Sequence, residues 1–170
     1  MEQRKRSKAA LFLDIDGVIN TIHDRNTKNC YFHAVFTEGR PIKKTDLNLR
    51  EELVQRIVRL VREHDLDIVI SSMWRYAARP EWFAIMFALY GLEIDPSRID
   101  MLRTDDYEDI EGMRSIFIKE YLDDNPYEKF VMIDDTLDHY TILLGNLVHT
   151  DEKFGFTEED YQKAVNILQK

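Results

Sequence analysis

Two carboxylates stand at Asp14 and Asp16, directly after the apolar run Leu11-Phe12-Leu13 and directly before Gly17. On a persisting strand, side chains two residues apart point the same way, and a glycine after them lets the chain turn sharply. The pair can therefore converge on one small volume. A calcium loop starting at Asp14 would need Glu where Arg25 stands and an acidic residue where Val18 stands, so that reading fails. Covalent phosphoryl transfer fits better. One Asp attacks phosphorus and forms an aspartyl-phosphate, while the other protonates the leaving oxygen and later takes a proton from water. Phosphate and carboxylates are all negative, so a Mg²⁺ must sit among them. Asp134 or Asp135, ending another apolar run, supplies a further ligand.

Such groups must be carried by elements that end at one place. Ala10 to Ile15 is a short apolar run without polar alternation, the pattern of a strand buried on both faces, and a first strand is expected over 8–15. Runs 67–70 and 130–133 share that character, and they end on Ser71-Ser72 and Asp134-Asp135. Between them lie helical patterns. Leu49, Leu53, Ile57, Leu60, Val61 and His64 follow helical spacing, with Asn48 as N-cap and Glu51 three residues on. Pro80 suits a first helical position and Gly91 an end. A third helix is expected over 110–122, with Met113, Ile116, Phe117 and Tyr121 on one side, and a last one after Thr157, whose spacing to Asp160 makes a capping box. Residues 94–101 carry only a weak strand signal.

This alternation predicts a three-layer α/β sandwich around a mainly parallel sheet, with ligands bound at the carboxyl ends of the strands. A β-hairpin flap, or minimal cap, is expected over 28–45, centred on Tyr31 to Phe36 and the following Gly39-Arg40-Pro41.

The order of these elements resembles the haloacid dehalogenase (HAD) superfamily of phosphohydrolases, over most of the chain. That resemblance implies Asp14 as nucleophile and Asp16 as acid/base in the motif Asp14-Ile15-Asp16-Gly17, and Ser71 or Ser72 as the hydroxyl of the second motif. Arg114, with Lys119 in reserve, would be the basic group of the third. Asp134-Asp135, with Asp138 completing the spacing, would be the fourth, so that Asp14, Asp16, Asp134 and Asp135 hold Mg²⁺. Receiver domains combine similar groups, but their acceptor Asp lies on a middle strand. Ser71-Ser72-Met73-Trp74-Arg75, Asp151 and the Gly155-Phe156-Thr157 turn look like the small HAD branch associated with RNA-repair proteins, and are similar to the phosphatase half of polynucleotide kinase-phosphatases. In that resemblance Arg75 holds a phosphate beside Ser71, Ser72 and Arg114, and Trp74 either stacks on a base or belongs to the core.

A chain of 170 residues fits one domain, here 1–170. Its formal charge of −9 argues against a non-specific grip on polynucleotide. A phosphorylated nucleotide or nucleic-acid end fits, as does a small metabolite or phosphoprotein. The lone Cys30 forms no internal disulfide, and the basic start followed by Ala9-Ala10-Leu11 loses its likeness to a signal peptide at Asp14. The expectation is a cytoplasmic protein without a membrane span. His23, His33, His64, His139 and His149 have no metal-ligand spacing, and only His33 and His139 are expected near the site. The competing reading is a non-hydrolytic module that binds Mg²⁺ or phosphate with the same acidic cluster.

Overall fold

The computed structural model describes residues 7–27, 42–47, 49–103 and 111–170. Five strands form one parallel sheet: β1 (Ala9–Leu13), β2 (Leu66–Ile70), β3 (Ile99–Met101), β4 (Lys129–Asp134) and β5 (Leu147–His149), in the order β3-β2-β1-β4-β5. The helices are α1 (Ile22–Thr27), α2 (Glu51–His64), α3 (Pro80–Leu89), α4 (Met113–Asp124) and α5 (Glu158–Leu168). The architecture is a three-layer α/β sandwich, with helices packed on both faces of a parallel sheet. Among the described residues, no helix is long and apolar enough to cross a membrane.

Alternation along the central strands divides the core in two. Leu11 and Leu13, with their register partners Ile68, Ile70, Val131 and Ile133, face a large core built with α2, α3 and α5. Phe12, Val69 and Met132 face a smaller one closed by Phe117 and Ile118 of α4 and by Tyr140. Each fully buried Leu, Ile or Phe side chain is worth about 1.5–3 kcal/mol. The one charge in β2, Asp67, is 1% exposed and survives there because Arg98 Nε (2.8 Å), Ser7 N (3.2 Å) and Tyr127 Oη (3.2 Å) all donate to its carboxylate.

Register fixes the site. Leu13 pairs with Ile70 on one side and Ile133 on the other. The next rung is therefore Asp14, Ser71 and Asp134 side by side. It is held by the Asp14 amide donating to Ile133 O (3.0 Å), the Ser71 amide to Leu13 O (3.0 Å) and the Thr150 amide to Asp134 O (2.9 Å). Continued alternation turns this rung toward the smaller core, the face on which α4 lies.

Several boundaries differ from the sequence expectation. The N-cap of α2 is Arg50, with no side-chain cap, so the helix starts at Glu51; Asn48 lies outside the described residues. Helix α4 starts at Met113 after Gly112, and Ile116 is exposed, because Arg114 and Ser115 occupy the inward positions. The weak signal over 94–101 becomes the edge strand β3. The α3 bounds with Pro80 at the start, and the Thr157–Asp160 capping box of α5, follow the sequence reading. The hairpin over 28–45 falls mainly outside the described residues, which resume at Ile42 and enter a 3-10 turn at Lys44–Asp46.

Candidate active site

Asp14 is 6% exposed at the head of β1. Arg114, 5% exposed on the first turn of α4, reaches across the smaller core and donates from one Nη1 to Asp14 Oδ1 (3.4 Å) and to Asp134 Oδ2. Lys119 is instead on the outer surface, paired with Asp123 one turn on. The sequence offered both cations; the fold brings only Arg114 to the carboxylates.

Asp134 is fully buried and heavily held. Its Oδ1 accepts from the Thr136 amide (2.8 Å), and its Oδ2 accepts from Tyr140 Oη (2.7 Å) as well as from Arg114. Asp135, half-buried, accepts from Thr136 Oγ1 (3.2 Å), while its carbonyl accepts from His149 Nε2 (2.9 Å). Asp138 is exposed, and its carbonyl accepts from the Gly112 amide (2.9 Å). Gly17 has φ +79°, and a Cβ there would lie 2.0 Å from Asp135 Oδ2. Only glycine lets the chain turn this close to the acidic pair.

Asp14, Asp134 and Asp135 each bring one carboxylate oxygen to a common volume, all within 4.8 Å of one another. A Mg²⁺ with oxygens at about 2.1 Å sets neighbouring oxygens about 3.0 Å apart and opposite ones about 4.2 Å apart, so a slight closure would ligate it. The hard oxygen donors fit that ion. Asp16 stands outside this triangle: its Oδ1 accepts from Asn20 Nδ2 (2.7 Å) and its Oδ2 from the indole Nε1 of Trp74 (2.9 Å).

The hydroxyls divide cleanly. Ser71 Oγ is fully buried on the rung with no hydrogen-bond partner among the described residues, a donor without an acceptor. Ser72 Oγ is spent as the N-cap of the 3-10 turn Met73–Tyr76, accepting from the Trp74 amide (3.4 Å). Arg75, on that turn, donates from Nη1 to the Ser71 carbonyl (2.6 Å) and from Nη2 to Tyr76 Oη (3.1 Å), with its guanidinium 4.4 Å from the Tyr76 ring centre. Trp74 is 7% exposed and packs on Trp82 of α3, so it belongs to the core rather than to a stacking surface.

The electrostatics follow from burial. Burial, then the Asp134 charge, pushes the Asp14 carboxyl well above the usual carboxylate range; Arg114 opposes this. For Arg114, burial disfavours the charge but Asp134 and Asp14 outweigh it, and its pKa is raised. Burial, then Asp134, drives the Tyr140 phenol well up, so it stays a hydrogen-bond donor. Burial lowers the pKa of Arg75.

Sequence reasoning assigns no site role to Asn20, Tyr140 or His149. Asn20 lies four residues past Asp16 and also accepts from the Gly17 amide (3.0 Å), a turn-closing role that a polar residue shortly after D-x-D-G could signal. Tyr140 and His149 come from a turn and an edge strand with no local pattern. His33 lies outside the described residues.

The parallel sheet with acidic, hydroxyl and guanidinium groups gathered at its carboxyl edge defines a HAD-type α/β domain. The chain belongs to the family described as the HAD domain in Swiss Army Knife RNA repair proteins, whose model matches residues 10–161. Membership suggests a phosphatase-type hydrolase activity. No curated protein and no solved structure matches the chain.

Proposed function

We propose that this protein is a Mg²⁺-dependent phosphomonoester hydrolase that works through an aspartyl-phosphate on Asp14. The observation that carries the reading is the rung: Asp14 beside a buried Ser71 hydroxyl that has no hydrogen-bond partner among the described residues on one side and Asp134 on the other, with Arg114 spanning both acids.

A phosphoryl group at the head of β1 would accept from Ser71 Oγ and from Arg114, which neutralises its equatorial oxygens. An Asp14 oxygen attacks phosphorus as the bond to the leaving oxygen breaks. Asp16 gives its proton to that oxygen, then accepts a proton from the water that attacks the aspartyl-phosphate. Inorganic phosphate departs and the Asp14 carboxylate returns. Asp14, Asp134 and Asp135 would hold Mg²⁺, which supplies the positive charge that keeps Asp14 ionised and screens phosphate from carboxylate.

The RNA-repair setting of the family favours a phosphorylated nucleotide or nucleic-acid end as substrate. The formal charge of −9 favours a short end over a long polynucleotide gripped along its backbone. With a chromogenic aryl phosphate, Mg²⁺-dependent turnover is expected from the wild type and none from Asp14→Asn. Turnover retained in the folded variant would refute the mechanism, and a wild type that binds phosphate without turnover would leave the binding-module reading. A panel of 3′- and 5′-phosphorylated oligonucleotides against mononucleotides and sugar phosphates tests the substrate; rates on oligonucleotides no better than on sugar phosphates would remove the nucleic-acid reading.

A further inference from the structure

The segment Ser71-Ser72-Met73-Trp74-Arg75 puts a tryptophan between Ser71, on the rung beside Asp14, and Arg75, yet Trp74 is turned away into the core. Its indole N–H is not buried idly: it donates to Asp16 Oδ2 at 2.9 Å across the gap between the β1 and β2 strand ends. We infer that Trp74 is a positioning residue that holds the Asp16 carboxylate in the orientation needed for proton transfer, an inference that rests on the role proposed above for Asp16.

The physical case begins with where Asp16 stands. It lies past the end of β1, on the turn that Gly17 completes at φ +79°, so no strand ladder holds its side chain. Among the described residues two donors do, one on each oxygen: Asn20 Nδ2 on Oδ1 and Trp74 Nε1 on Oδ2. Two such bonds fix the plane of the carboxylate, and each oxygen keeps a second lone pair for proton exchange. Asn20 belongs to the same turn and moves with it. Trp74 belongs to another strand end and is anchored independently.

That anchor is stiff. The indole ring packs 6.2 Å from Trp82, which meets Phe83 edge-on at 5.2 Å. Its backbone is held at both ends, with the Trp74 amide donating to Ser72 Oγ and the Ala77 amide to the Trp74 carbonyl (3.1 Å). A phenylalanine would satisfy the packing. The indole also reaches Asp16 with a directional donor, which phenylalanine lacks. The turn that supplies Trp74 is capped by Ser72, the residue after Ser71, so the rung hydroxyl and the clamp on the proposed acid/base are carried by one short segment.

General-acid help matters most when the leaving oxygen is basic. Trp74→Phe should therefore lower kcat/KM on a primary alkyl phosphate by about 10- to 100-fold, and on p-nitrophenyl phosphate by less than about threefold. The kcat/KM comparison reads the step in which the leaving group departs. Equal losses on both substrates, or none on either, would overturn the positioning role, since a packing defect does not distinguish leaving groups. Should Trp74→Phe fail to fold, the wild type carries the test. The chain has two tryptophans, so two indole N–H signals appear in a ¹⁵N correlation spectrum, assigned through Trp82→Phe. Asp16→Ala is expected to move the Trp74 signal upfield and leave that of Trp82 in place; an unmoved Trp74 signal overturns the clamp. A wild type inactive on both phosphates defeats the phosphatase reading, and the positioning role with it, whatever the indole shift.

Discussion

Arg114→Met removes the cation shared by Asp14 and Asp134 while keeping much of its volume, and the cost can be bounded. At the 3.4 Å of the Asp14 contact, with an effective dielectric constant of about 20, the lost attraction is about 5 kcal/mol. Asp134 adds a second contact. Two effects shrink the gross figure. The variant no longer desolvates a guanidinium, which costs several kcal/mol for a buried ion. A stranded carboxylate can also take a proton, which for an ordinary aspartate at pH 7 costs at most about 4 kcal/mol (1.36 × 3.1). It costs less for Asp14, whose pKa burial already raises. A net loss of about 2–4 kcal/mol is expected without Mg²⁺, near the range for breaking a buried pair.

The pH dependence has a definite sign. In the variant, the folded state keeps a proton that the unfolded chain releases above about pH 4, so stability is greatest below that value and falls as pH rises through the raised folded pKa. The deficit against wild type should thus be smaller near about pH 5.5 than near about pH 8. Urea unfolding followed by tryptophan fluorescence in a chelator, at both pH values, measures it. Excess Mg²⁺ should recover part of the loss by binding only the folded state. A deficit below about 1 kcal/mol near pH 8, or one that does not change with pH, would refute the claim that Arg114 neutralises these acids.

Ser71→Ala should leave unfolding free energy nearly unchanged, because the hydroxyl has no hydrogen-bond partner among the described residues to lose, while turnover falls by about 10²–10³ if that hydroxyl donates to the phosphoryl group; steady-state kinetics beside thermal melting separates the two. Gly17→Ala should cost about 1–2 kcal/mol for the left-handed backbone alone. It should also weaken Mg²⁺ binding in calorimetry, because its Cβ would displace Asp135. Lys119→Ala should change stability by less than about 0.5 kcal/mol and leave turnover intact, as an exposed pair with Asp123 contributes little.

The groups legible in the sequence were those that end a buried strand. Apolar runs without alternation located β1, β2 and β4, and the polar residues terminating them had to share one edge of a parallel sheet. Strand β5, three residues long, is too short to leave a periodic signature. In the sequence, Ser71 is favoured over Ser72 only because it directly follows the apolar run; which face each of two neighbours takes is set by register, which that run does not encode. Arg114 faces inward because of how α4 is rotated on the sheet, which its mixed pattern of apolar residues does not encode. Tyr140 and Trp74 meet their acids through tertiary contacts, and such contacts have no spacing rule.

The rung has a consequence for how such a site could change. Asp14, Ser71 and Asp134 inherit their alignment from backbone ladders already locked by two cores, whereas Met73, Tyr76 and Leu137 are exposed on the turns that leave the same strand ends. A residue inserted within β2 or β4 would carry every later side chain of that strand to the opposite face and dismantle the chemistry. Exchanges at those three exposed positions leave the rung alone. The rung and the exposed turn positions thus answer to different constraints, and the second can change while the first is kept.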